Sequence, residues 1–140
     1  MKPIRGASGP AGLIAFVRTG NEGYLARYSA SENSPTPSDH ACPGLGPQDG
    51  QPNAIEVDSN GDLWVALQTG SSMDVVRCAR TGKPKTMFTV PGNDQPADVD
   101  VTSDGSAVLL TDGNGKVWRW DGSGNPQELS TSISLTQVSW

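Results

Sequence analysis

At 140 residues and 14.6 kDa, with 17 Gly and 11 Pro, the chain has room for one ordinary domain and the composition of short strands joined by turns. Lys and Arg number 10 against 15 Asp and Glu, so the net charge of −5 offers no basic stripe for a nucleic-acid backbone. No apolar run reaches the roughly 18 residues of a spanning helix, so neither nucleic acid nor membrane is an expected partner.

In chain order, the first unit opens on a weak strand, Pro3 to Ser8, and the N-terminal stretch Met1 to Gly6 does not read as a signal peptide. The compartment therefore stays open, with an extracellular one favoured. Leu13 to Gly20 and Leu25 to Tyr28 follow, matching strand-bearing stretches of the second unit, and a polar, Pro-bearing loop, Ser31 to Ser38, leads to His40 and Cys42. The second unit starts at Pro52 and places strands at Ala54–Asp58, Leu63–Gln68, Val75–Ala79 and Lys85–Val90. Its first hairpin is Ser59-Asn60-Gly61-Asp62, where Asn-Gly predicts a turn with positive φ at both residues. The third unit repeats that order from Pro96: Ala97–Thr102, Ala107–Thr111, Lys116–Asp121 and Glu128–Thr131. Leu135 to Trp140 then reads as one more inner strand, completing or starting a further unit. No segment holds a 3.6-residue apolar period, so no helix is expected.

Cys42 and Cys78 are the only cysteines and His40 the only histidine. Four zinc ligands at a workable spacing are absent. Two readings stay open: a disulfide between neighbouring units, or two unpaired thiols.

The units align without gaps over their central strands. Leu63-Trp64-Val65-Ala66-Leu67-Gln68-Thr69-Gly70 matches Leu13-Ile14-Ala15-Phe16-Val17-Arg18-Thr19-Gly20, and Val75-Val76-Arg77-Cys78 matches Leu25-Ala26-Arg27-Tyr28. Ala107-Val108-Leu109-Leu110 and Val117-Trp118-Arg119-Trp120 supply the third copy. A period of about 45 residues built from short strands indicates a solenoid, an array or a β-propeller.

The stretch Pro52-Asn53-Ala54-Ile55-Glu56-Val57-Asp58-Ser59-Asn60-Gly61-Asp62-Leu63-Trp64-Val65 resembles blades of the NHL, virginiamycin B lyase and SMP-30/gluconolactonase propellers. The third unit, with Asp104-Gly105, Gly115-Lys116-Val117-Trp118-Arg119-Trp120-Asp121-Gly122 and Leu135-Thr136-Gln137-Val138-Ser139, is similar to tectonin lectin repeats. The resemblance implies an all-β fold of three four-stranded blades, at about 2–51, 52–95 and 96–134, with 135–140 left over. Closed propellers need more blades than that. Homo-oligomerisation into a ring is therefore expected, six blades from a dimer being preferred and a trimer the other option.

Function in such a ring is expected to be binding, with carbohydrate as the leading ligand. The candidate ligand-binding residues are Arg27, Tyr28, Arg77, Arg119 and Trp120, because an Arg fork can grip sugar hydroxyls while an aromatic face stacks on the ring. The competing reading has each Arg brace a neighbouring loop or carboxylate. Trp64, Trp118, Trp120 and Trp140 read as core between blades, with Trp118 and Trp120 sharing one strand face. One of those two could also reach a surface pocket.

The first alternative is a lactonase- or lyase-like metal-dependent enzyme, or part of one. The resemblance then implies calcium or magnesium held by Asn53, Glu56, Asp58, Asp98 and Asp100 near the ring centre. Asp58 and Asp104 could equally cap their own hairpins. No nucleophile elbow or phosphate loop is present, so no catalytic residue is assigned. The second alternative is a scaffold for protein interaction or assembly. Under the binding reading no cofactor is required.

Overall fold

The computed structural model describes residues 2–9, 12–19, 22–28, 39–40, 42, 45, 51–79, 83–92 and 94–129. Among them every regular element is a strand and none is a helix. The first sheet holds β1 (Lys2–Gly9), β2 (Gly12–Thr19), β3 (Glu22–Tyr28) and β4 (Asp39–His40). The second holds β5 (Gln51–Val57), β6 (Leu63–Gln68), β7 (Ser72–Cys78) and β8 (Lys85–Pro91). The third holds β9 (Pro96–Val101), β10 (Val108–Asp112), β11 (Val117–Trp120) and β12 (Gln127–Leu129). Each sheet is an antiparallel meander of four strands taken in chain order. The loop at 31–38 and the expected strand at 135–140 lie outside the described residues.

The repeat is visible in the register. The third strand meets the second at equivalent places in all three sheets: Tyr28 faces Leu13, Cys78 faces Leu63, and Trp120 faces Val108. One position earlier, Arg27, Arg77 and Arg119 face Ile14, Trp64 and Leu109. The first strands lie side by side, β1 next to β5 and β5 next to β9.

Both faces of the second sheet are buried, which explains why β6 reads as a continuous apolar run rather than an alternation. Ala54, Trp64, Ala66, Met73, Val75, Phe88 and Val90 pack against Val99, Val101, Val108, Leu110, Trp118 and Trp120 of the third sheet. On the opposite face Ile55, Leu63, Val65, Leu67, Val76 and Cys78 close over Cys42, with Leu45 and Val57 at the margin.

The hairpins differ from the expected Asn-Gly turn. Of Asn60 and Gly61 only Gly61 has a positive φ, of 80°, because Asp58 builds a longer loop around its own carboxylate. Asp58 Oδ1 accepts the backbone N–H of Asn60 at 2.9 Å and of Asp62 at 3.0 Å. Asp112 does the same for Asn114 and Lys116, both at 2.9 Å, with Gly115 at φ 84°. Asp112 Oδ2, however, is buried with no hydrogen-bond partner among the described residues. In the β9–β10 turn a hydroxyl replaces the carboxylate: Thr102 Oγ1 accepts from Ser106 N–H at 3.0 Å and Ala107 N–H at 3.1 Å. Hydrogen bonds from Ser106, then Thr102, hold the exposed Asp104 below its ordinary value of 3.8. Its contribution is present above that value and fades as the pH falls through the lowered one.

Of the two cysteine readings, the disulfide is the one that forms. Cys42 and Cys78 are bonded with a Cα–Cα distance of 5.8 Å and a sequence separation of 36. The link ties the segment ahead of β5 to the third strand of the second sheet. Closing a loop of that length removes unfolded-state entropy equivalent to about 4 kcal/mol. Replacing both cysteines by alanine should therefore lower unfolding free energy by about 3–4 kcal/mol. Urea unfolding checks this, and a reducing agent should move the parent chain, but not the variant, in the same direction.

Candidate functional site

Two places between the second and third sheets bring polar chemistry together. The first is a clamp at the end of β5. Asp58 is 2% exposed, and its Oδ2 accepts the Trp64 indole N–H at 3.0 Å. Arg77 lies over that indole, 5.2 Å from the ring centroid. The guanidinium donates to Asp62 Oδ2 from Nε at 3.0 Å and Nη2 at 2.6 Å, and stands 3.7 Å from Asp58 Oδ2. The β9–β10 turn of the next sheet closes on this group. Ser59 N–H donates to the Ser103 carbonyl at 3.0 Å, and the Ser59 hydroxyl donates to the same oxygen. Gly105, at φ 72°, sits so close that a Cβ there would come 3.2 Å from Asp58 Oδ2 and 3.3 Å from Trp64 Cζ2.

Arg77 therefore braces a turn, the competing reading of its column. Arg119 pairs with Asp121 at 2.7 Å, and both groups are exposed. The expected partnership of each Arg with the following residue meets a plain obstacle. Successive side chains on a strand point to opposite faces. Cys78 is buried against Cys42 while Arg77 lies on the Trp64 side, and Trp120 is buried while Arg119 is exposed. Neither pair can grip one ligand from the same side. Arg27 and Tyr28 are adjacent on β3, and their side chains lie outside the described residues.

Trp120 fills core instead of offering a free face. It stacks on Phe88 with centroids 5.4 Å apart and lies 6.3 Å from Trp64. Its indole N–H donates to the Gly124 carbonyl at 3.1 Å, pinning the turn that precedes β12. Gly122 and Gly124, at φ 91° and 69°, let that turn fold back.

The second place is a half-open groove of about 260 Å³ lined by Thr89, Val90, Pro91, Trp118, Asn125 and Pro126. Thr89 to Pro91 come from the end of β8, Trp118 from β11, and Asn125 and Pro126 from the turn that Trp120 pins. Of Trp118 and Trp120, both buried in the core against the second sheet, Trp118 is the one that lines this groove. The other lining residues were missed, because they come from two sheet edges and carry no repeat signal. The Gly-Ser-Gly-Asn-Pro turn beside an aromatic strand is the one sequence feature that points there.

The residues of the metal alternative do not form one group. Asp58 has both oxygens engaged by its turn, Trp64 and Arg77. Glu56 lies opposite Trp64, and its Oε1 accepts the Val57 N–H at 3.1 Å. Asp98 and Asp100 share the face of β9 opposite Val99 and Val101, and Asn53 lies at the β5 irregularity. Among the described residues no set of three His, Cys, Asp or Glu side chains is arranged to hold a metal ion. Comparison with protein-family models and with curated proteins finds no match for the chain.

Replacing Asp58 by alanine strips two turn N–H groups of their acceptor and leaves a buried indole N–H unpaired. The expected loss is about 3 kcal/mol. Arg119→Ala, which removes an exposed ion pair, should stay within about 0.5 kcal/mol of the parent. Parallel urea titrations of the two variants make the comparison.

Proposed function

We propose that the chain is a non-enzymatic carbohydrate-binding module whose sheets are propeller blades, closed into a ring by self-association. The groove around Trp118 carries the binding half of this reading. The part of the Trp118 indole left uncovered by the core (8% exposed) and two pyrrolidine rings supply a small apolar surface for the CH-rich face of a sugar, while the Asn125 amide and Thr89 hydroxyl can exchange hydrogen bonds with its hydroxyls.

Three points support the ring half. Each sheet is a four-stranded meander, the second and third sheets bury apolar faces on one another, and the first strands stand side by side. A propeller repeats that relation around an axis until it meets itself. Two chains would supply six blades under two-fold symmetry. The Cys42–Cys78 disulfide suits an oxidising compartment and hence extracellular glycans.

Light scattering coupled to size-exclusion chromatography tests the ring, and a glycan array tests the ligand class. A discrete dimer or trimer is expected, together with retention of a restricted set of glycans. A monomer overturns the ring. A blank array, with the protein shown folded by near-ultraviolet circular dichroism, overturns the carbohydrate reading.

A further inference from the structure

We infer that the Trp118 groove takes a single uncharged sugar ring, one per chain, and turns anionic sugars away. This rests on the carbohydrate reading above and narrows it in three respects: size, number and charge.

Size comes first. Ligand sites for drug-sized molecules start near 300 Å³, and this groove holds about 260 Å³. It has room for one ring and is open on one side, so the rest of a glycan would project into solvent.

The number follows from the equivalent positions of the second sheet. Trp118 faces Leu110 in register, as Val76 faces Val65. Asn125-Pro126 precedes the outer strand of the third sheet, as Lys83-Pro84 precedes that of the second. The platform is thus valine at the equivalent place, and the amide is an ammonium. The second sheet has no counterpart of the Trp118 site, despite the shared backbone plan.

Charge decides the class. Among the described residues no ionisable side chain lines the groove. Glu128 lies directly opposite Trp118 across the β11–β12 pair and is exposed. Directly opposed residues share a sheet face, so a carboxylate flanks the platform. It can accept hydrogen bonds from sugar hydroxyls and repels a uronate or a sialic acid.

The test is isothermal titration and saturation-transfer NMR on the full chain, with methyl glycosides of neutral hexoses, deoxyhexoses and N-acetylhexosamines. Methyl glucuronide and methyl sialoside are the anionic probes. At least one neutral glycoside is expected to bind at one site per chain, with the anionic probes at least about tenfold weaker. Asn125→Ala and Thr89→Ala change exposed positions and should each weaken binding several-fold. Glu128→Gln should narrow the gap between neutral and anionic probes. Trp118→Val, which installs the second sheet's residue at the equivalent place, should abolish binding.

If neutral glycosides bind and both exposed variants keep parental affinity, the groove assignment is overturned while the carbohydrate reading stands. Preference for an anionic probe, or more than one site per chain, also overturns the inference alone. If no probe binds and the glycan array is blank as well, the carbohydrate reading falls, and this inference with it.

Discussion

The contact on which the arrangement of sheets depends is the buried Asp58 carboxylate. One oxygen folds the β5–β6 turn around itself, and the other accepts the Trp64 indole N–H, with the Arg77 guanidinium close by. A buried carboxylate is costly unless its lone pairs are met, and here backbone, indole and guanidinium meet them. The group fixes Trp64 within the apolar seam, on the side where the next sheet's turn approaches. Gly105 closes on that side, where a side chain would crowd both Asp58 and Trp64. Local turn chemistry in one sheet thus sets the approach of the following one.

The two buried faces of the second sheet solve the same packing problem with different chemistry. In the second and third sheets the last residue of the third strand points toward the part of the chain that precedes the sheet. Cys78 meets it with a disulfide to Cys42, while Trp120 meets it with an indole stacked on Phe88. A covalent bond suits the side where the preceding connection is long and entropically expensive to order. An aromatic ring suits the side where a turn must be held, because its N–H can fasten Gly124 while the ring stays dry. That fastening shapes the turn bearing Asn125 and Pro126, so a core residue organises the groove without lining it.

Much of the fold was legible because turns and apolar runs are local. The extent of β6 follows from Leu63 to Gln68 alone, and the other strands of the second and third sheets fall within a few residues of their expected places. The Asn60-Gly61 turn was misjudged because the residue that shapes it, Asp58, lies outside the dipeptide. The proposed Arg–aromatic partnerships overlooked the period of two, which sends Arg119 and Trp120 to opposite faces. That correction was available from the sequence. The contribution of Thr89, Pro91, Asn125 and Pro126 was not, since nothing in a linear pattern tells which sheet edges will meet.

By itself the sequence determined the strand-and-turn rhythm, the all-β class and the equivalence of the Arg27, Arg77 and Arg119 positions. These rest on alternation, turn residues and a repeat length, properties of neighbours along the chain. Only the tertiary structure decided that Cys42 meets Cys78, that Arg77 braces Asp62 and Asp58 under Gly105, and that Trp118 rather than Trp120 opens onto a groove. Each of those outcomes depends on which faces two sheets bury against each other, and that is settled by the packing of large side chains across the seam.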